Sequence, residues 1–156
     1  MRALITGGKG FVGQWLAAHL KDVGDDVVAI DVETDISDGP ALRQAVMDAA
    51  PEAIYHLAAM THVGESWENP SQVLKVNVLG TAELLAAARA LPISPTVLVV
   101  SSAEVYGVVT PEQLPLGEDT PTAPATPYAA SKLAAEAVAL RPGEQAALSS
   151  PAQSTP

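Results

Sequence analysis

In the stretch PYAASK, Pro127 to Lys132, a phenol and an ammonium stand four residues apart. On a helix that spacing puts both side chains on one face. An ammonium beside a phenol favours phenolate, which suits general acid–base work at a carbonyl or hydroxyl. An isolated YxxxK is by default a surface pair, so its neighbours decide its meaning. One of them is SSAEVYG, Ser101 to Gly107, in which Ser102 could hydrogen-bond a carbonyl or hydroxyl beside the Tyr128 oxygen.

A second run, TGGKGFVG from Thr6 to Gly13, follows an apolar strand and opens a helix. Glycines at 7, 10 and 13 let the backbone turn tightly and approach a pyrophosphate held on the free N–H groups of the helix start. Eighteen residues past Gly13, Asp31 ends the next strand, where an acid can accept hydrogen bonds from an adenosine ribose. Strand, helix and acid together point to a dinucleotide site. The charge of Asp31 disfavours a ribose phosphate, so NAD(H) is preferred and NADP(H) remains possible.

The elements that must position these groups are legible as short apolar runs alternating with helix-period segments, the mark of a parallel sheet with crossover helices. Strands are expected at Ala3–Thr6, Val27–Ile30, Ala53–Leu57 and Thr96–Ser101. The first helix carries Val12, Leu16 and Leu20 on one face and ends near Gly24. Asp38 caps a second helix, with Pro40 in its first turn and Leu42, Val46 and Ala49 inward. Asn69-Pro70 opens a long third helix to about Ala90, with Val73, Val76, Leu84 and Ala88 on its apolar side. Thr126-Pro127 starts a helix running from Tyr128 to about Leu140. SSAEVYG then leaves the fourth strand at its C-terminal edge, where ligands bind in open α/β sheets. RPGEQAALSSPAQSTP has no usable period and reads as a disordered Pro/Ser-rich tail over 141–156. The expected order is βαβαβαβα in one domain over 1–140.

Composition narrows the partners. A formal charge of −10 disfavours nucleic acid and anionic membranes. Without cysteine there is no disulfide, thiolate metal site or thiol nucleophile, and nothing suggests a metal at His56 or His62. MRALITGG does not read as a signal peptide, and no window approaches a membrane span, so a cytoplasmic protein is expected.

Taken in order, TGGKGFVG, Asp31, DIS at 35–37, YHLAA at 55–59, NVLGT at 77–81, SSAEVYG and PYAASK resemble the extended short-chain dehydrogenase/reductases, the NAD-dependent epimerases, dehydratases and reductases of nucleotide sugars. The resemblance implies an α/β fold with a Rossmann-type doubly wound parallel sheet. It implies that Gly7, Gly10, Phe11, Val12 and Gly13 hold pyrophosphate and Asp31 the ribose, with Asp35 and Ile36 beside the adenine. Leu57, Ala58 and Ala59 would line the cofactor, and Asn77 would fix the catalytic helix. Ser102, Tyr128 and Lys132 take the triad places, Lys132 also binding the nicotinamide ribose.

Glu104 bears on which member of the family the chain is most like. Galactose-type epimerases usually carry a small or hydroxyl residue there, although VGES at 63–66 resembles theirs. GDP-mannose dehydratases and GDP-4-keto-6-deoxymannose reductases carry a glutamate, and GESWENP and SSAEVYGVVTPEQLPLGED are most similar to the reductases. The expectation is a reductase of a GDP-linked keto sugar, with dehydratase next and epimerase third. Two departures stand out. Asp35 follows Asp31 by only four positions, so the usual crossover helix and third strand are shortened or lost. The resemblance also fades near Leu140, before the later strands and substrate domain of the family. The sequence thus reads as a fragment, a frameshifted product or a stand-alone, non-catalytic NAD-binding module. The helix from Tyr128 would leave Leu133, Ala137 and Leu140 partly exposed, and a homodimer is expected through it.

Overall fold

The computed structural model of the chain describes residues 1–140. The tail expected over 141–156 lies outside the described residues. Four strands, β1 (Arg2–Thr6), β2 (Asp26–Ile30), β3 (Ala53–His56) and β4 (Thr96–Val99), form one sheet in the order β2-β1-β3-β4. Every pairing is parallel, with Leu4 opposite Val28 on one side and Ile54 on the other. Helix α1 (Phe11–Asp22) carries the chain from β1 outward to β2. Helix α2 (Gly39–Ala49) then returns it past β1 to β3, on the far side of the sheet. The direction of winding reverses between β1 and β3, and a crevice opens beyond their C-terminal ends. This is a Rossmann-type α/β fold.

Local chemistry accounts for the helix starts. Asp38 Oδ1 accepts from the Ala41 N–H at 3.2 Å, and Pro40 stands in the first turn of α2. Thr126 Oγ1 accepts from the Ala129 N–H at 3.0 Å at the start of α6 (Pro127–Ala139). Between them lie α3 (Val63–Glu68), α4 (Pro70–Leu74) and α5 (Gly80–Arg89). The long helix expected from Asn69 to about Ala90 runs from Pro70 to Arg89 with one wider turn inside it. Lys75–Leu79 form a π turn between α4 and α5, with Asn77 buried at its centre.

The main core lies on one face of the sheet. Leu4 and Ile54, in register, meet Leu42 and Val46 of α2 and Leu84 and Ala88 of α5. Each of the leucines and isoleucines is fully buried, worth about 2 kcal/mol apiece in apolar transfer. Among the described residues the opposite face is covered by α1 alone, with Leu20 against Ala3 and Ile5 and with Leu16 and Ala17 beside them.

One expectation needs correction, and two features were not foreseen. Val12, placed inward with Leu16 and Leu20, is 59% exposed, because the first turn of α1 overhangs the crevice instead of the sheet. The six-residue α3 was not anticipated. β4 is as apolar as an inner strand, yet Leu98 and Val100 stay exposed on the α1 side. Leu133 and Leu140 are half-buried and Ala137 is exposed, as the sequence implies.

Candidate functional site

A cavity of about 860 Å³ occupies the crevice at the C-terminal ends of the strands. Its phosphate-sized corner is built by the glycine turn. Gly7 has φ +71, and a Cβ there would stand 2.8 Å from the Ala58 nitrogen. A Cβ on Gly13 would collide with the Gly7 oxygen and approach Gly8 Cα to 2.8 Å. Only glycine therefore permits this fold of the loop. The Gly10 N–H closes the turn on the Gly7 oxygen at 3.1 Å. Gly10 offers no side-chain cap to α1, so the amides of the first turn are left for a ligand.

Asp31 lines the cavity beside this turn. Its Oδ2 accepts from the Lys9 N–H at 2.7 Å and its Oδ1 from the Val32 N–H at 2.9 Å, so the carboxylate is held in place by backbone. The Lys9 ammonium reaches 2.8 Å from Glu33 at the rim, which raises the lysine and lowers the glutamate from their ordinary values. Asp35 accepts from both the Ser37 N–H and hydroxyl, which hold its carboxyl below the usual range. Ile36 and the segment Leu57, Ala58 and Ala59 line the cavity as expected, along with Phe11 and Val12.

Tyr128 and Lys132 line the same cavity from the other side. Lys132 is 8% exposed, and burial pushes its ammonium down against the opposing pull of the Glu136 carboxylate. A buried cation in a cleft is a functional-site signal. Asn77 sits behind the cavity and not on its wall. Its Oδ1 accepts from the Met60 N–H at 2.7 Å, and its Nδ2 donates to the Met60 carbonyl and to Ser131 Oγ. Ser131 Oγ in turn donates to the Tyr128 carbonyl at 2.6 Å, so one amide ties the cavity wall to the first turn of α6.

Ser102 and Glu104 are not brought to the cavity wall. They lie in the 3₁₀ turn after β4, where Ser102 Oγ accepts from the Glu104 N–H at 3.2 Å and Glu104 is exposed. Ser101 lines the cavity instead and donates a hydrogen bond to Glu136 of α6. The wall also includes Lys9, Met60, Thr61 and Gln72, which motif reading passed over. Thr61 and Gln72 follow YHLAA and precede NVLGT, and position between the two motifs was the available signal. Among the described residues no group of three His, Cys, Asp or Glu could hold a metal ion, and no helix is long and apolar enough to cross a membrane.

A glycine turn without room for a Cβ, bare helix amides, an acid at the next strand and a Tyr–Lys pair opposite together fit a dinucleotide. Known proteins support the reading. Residues 3–150 match the NAD dependent epimerase/dehydratase family. GDP-6-deoxy-D-mannose reductase of Pseudomonas aeruginosa is 38% identical over 91% of this chain and 47% of its own length. UDP-glucose 4-epimerase of Mycolicibacterium smegmatis is 37% identical over 87% of this chain and 49% of its own. Among solved structures, RMD from Pseudomonas aeruginosa complexed with NADPH superposes with a TM-score of 0.77 at 37% identity, covering 88% of this chain and 47% of that one. The chain spans about half the length of the curated relatives it matches. Since the family match takes in nearly all of the described residues, the chain belongs to the NAD dependent epimerase/dehydratase family.

Proposed function

We propose that the chain is the cofactor-binding part of an NAD(P)(H)-dependent nucleotide-sugar oxidoreductase, acting on the 4-keto group of a GDP-linked 6-deoxy sugar. The observation that carries this is the sharing of one cavity by Tyr128, Lys132, the Gly7–Gly13 turn and Asp31. A bound nicotinamide would supply or accept hydride. The protein's own work is to hold it and to move one proton. The glycine turn and α1 amides seat the pyrophosphate, and Asp31 takes the ribose hydroxyls. Lys132 lies one turn beyond Tyr128 on α6, and both side chains line the same wall of the cavity. Tyr128 then gives its proton to the sugar oxygen as the ketone is reduced.

Within the family, the similarity to a GDP-6-deoxy-D-mannose reductase favours a reductase over a GDP-mannose dehydratase. A UDP-sugar 4-epimerase, third among the sequence expectations, becomes the second reading on the strength of the epimerase relative. We further propose that NAD(H) is favoured through Asp31, that the chain is a homodimer through α6, and that it works in the cytoplasm.

Calorimetric titration with NADH and NADPH tests the site. Binding of neither removes the reading. Following NADH absorbance with GDP-4-keto-6-deoxymannose then tests the reaction. The chain spans about half the length of these relatives, so we expect weak binding without turnover. Turnover that depends on Tyr128 would show that this half suffices.

A further inference from the structure

His56 is buried at 4% exposure at the end of β3, immediately before the segment that floors the cavity. Neither acid–base chemistry nor cofactor contact uses it. Its ring bridges two threonines: Nδ1 lies 2.7 Å from Thr6 Oγ1 and Nε2 lies 2.9 Å from Thr81 Oγ1. The two ends of this chain of bonds fix the direction of every proton in it. The Ala58 N–H can only donate, and it donates to Thr6 Oγ1 at 3.2 Å. Thr6 Oγ1 meets no other acceptor among the described residues, so its own proton goes to His56 Nδ1. At the other end the Asn77 carbonyl can only accept, and it accepts from Thr81 Oγ1 at 2.6 Å. Thr81 therefore receives the ring's Nε2–H. Only the neutral Nε2–H tautomer satisfies all the partners. The reversed tautomer would leave the Thr6 hydroxyl proton without an acceptor in a buried place, as would an imidazolium.

We propose that His56 is a positioning residue, whose Nε2–H tautomer joins the cavity floor at Ala58 to the Asn77 carbonyl in the π turn. The inference rests on the reading of the cavity as a dinucleotide site. The ends of the relay are the two places where that cavity is set. Ala58 is the backbone against which the Gly7 turn packs so closely that no Cβ fits. Asn77, held at its carbonyl by Thr81, holds Met60 and, through Ser131, the carbonyl of Tyr128 with its side chain. Thr81 reaches the Asn77 carbonyl four residues back, which lies inside the π turn. His56 thereby sets the pyrophosphate wall against the proton-donating helix, across β1, β3 and the α4–α5 segment. Lys132, the charged group that faces the ring from α6, adds a reason for the ring to stay neutral.

The test uses the full chain and three variants. Nitrogen-15 NMR of histidine-labelled protein reports the tautomer without any cofactor; a ring protonated on Nδ1, or charged at neutral pH, overturns the proposal. Amide exchange is then compared at Ala58 and at Tyr128 to Ser131. His56→Leu and Thr81→Val should speed exchange at both places together, and His56→Gln, which keeps one acceptor and one donor, should restore protection. NADH affinity should fall about tenfold in the first two variants, the worth of one buried hydrogen bond, and recover in His56→Gln. Protection lost at only one end, or His56→Leu with wild-type affinity, overturns it. Failure of the wild type to bind NADH refutes the dinucleotide reading alone, because tautomer and exchange still decide the relay. A leucine variant that does not fold leaves Thr81→Val and the wild-type spectrum to decide.

Discussion

Lowering the pH should destabilise this protein through His56 before its carboxylates contribute. Burial, assisted by the Lys132 charge, pushes the ring from 6.5 to about 4. The unfolded chain takes up the proton at the ordinary value and the folded chain refuses it. Stability is therefore fully present above pH 6.5, falls with decreasing pH, and levels off below about 4. At 1.36 kcal/mol per unit the loss amounts to ~3 kcal/mol, a large share of the 5–15 kcal/mol typical of a domain. In thermal terms that is a drop of roughly 10 °C in Tm for a chain of this size. The carboxyls of Glu33, Asp35 and Glu112 are held below their usual values, so their contributions disappear only at lower pH, as the unfolded chain begins to protonate them. The assay is urea unfolding at half-unit intervals from pH 7.5 to 4.5, for wild type and for His56→Gln. The wild-type slope should approach 1.36 kcal/mol per pH unit below 6, and the variant should be nearly flat. A flat wild-type profile, or an equal slope in the variant, would refute the reasoning.

Other expectations follow from individual residues. Gly13→Ala should abolish dinucleotide binding and destabilise the fold by more than 2 kcal/mol, since the methyl overlaps backbone on two sides; titration and urea melts check both. Asp31→Ala should narrow the difference between NADH and NADPH affinities in calorimetry, because the charge that excludes a ribose phosphate is gone. In a version completed with the substrate-side half, Tyr128→Phe should remove turnover and leave cofactor affinity within about twofold. Leu42→Ala should cost about 2–5 kcal/mol in urea unfolding, as it empties a fully buried site between α2 and the sheet.

The strand–helix alternation was readable because each buried strand is a short apolar run and two of the helix starts carry a side-chain cap, Asp38 and Thr126. The glycine turn, Asp31, Tyr128 and Lys132 were readable because local spacing fixes where they sit along their elements. What could not be read depends on contacts between elements. Val12 obeys the helical period of Leu16 and Leu20, yet it faces the cavity because α1 begins beyond the sheet edge. The π turn at Asn77 shifts hydrogen-bond register by one residue and leaves no mark in composition. The His56 relay draws on residues at 6, 56 and 81, a separation no local pattern encodes. Ser102 and Glu104 were assigned to the site by motif, while the path of the turn after β4 puts Ser101 on the wall instead.

The uncovered side of β4 has a colloidal consequence. β4 is the outermost strand on its side of the described sheet, and Leu98 and Val100 lie bare beside it. Such an edge is a template for sticking to any other extended chain. What opposes this is the charge of −10 carried by every copy, which repels at a range of about 10 Å in 0.1 M salt and only about 3 Å in 1 M. Dispersal of this chain is thus an electrostatic property. Raising ionic strength, or approaching the acidic isoelectric point near 4.5, should drive copies together, with light scattering rising well before circular dichroism reports any loss of fold.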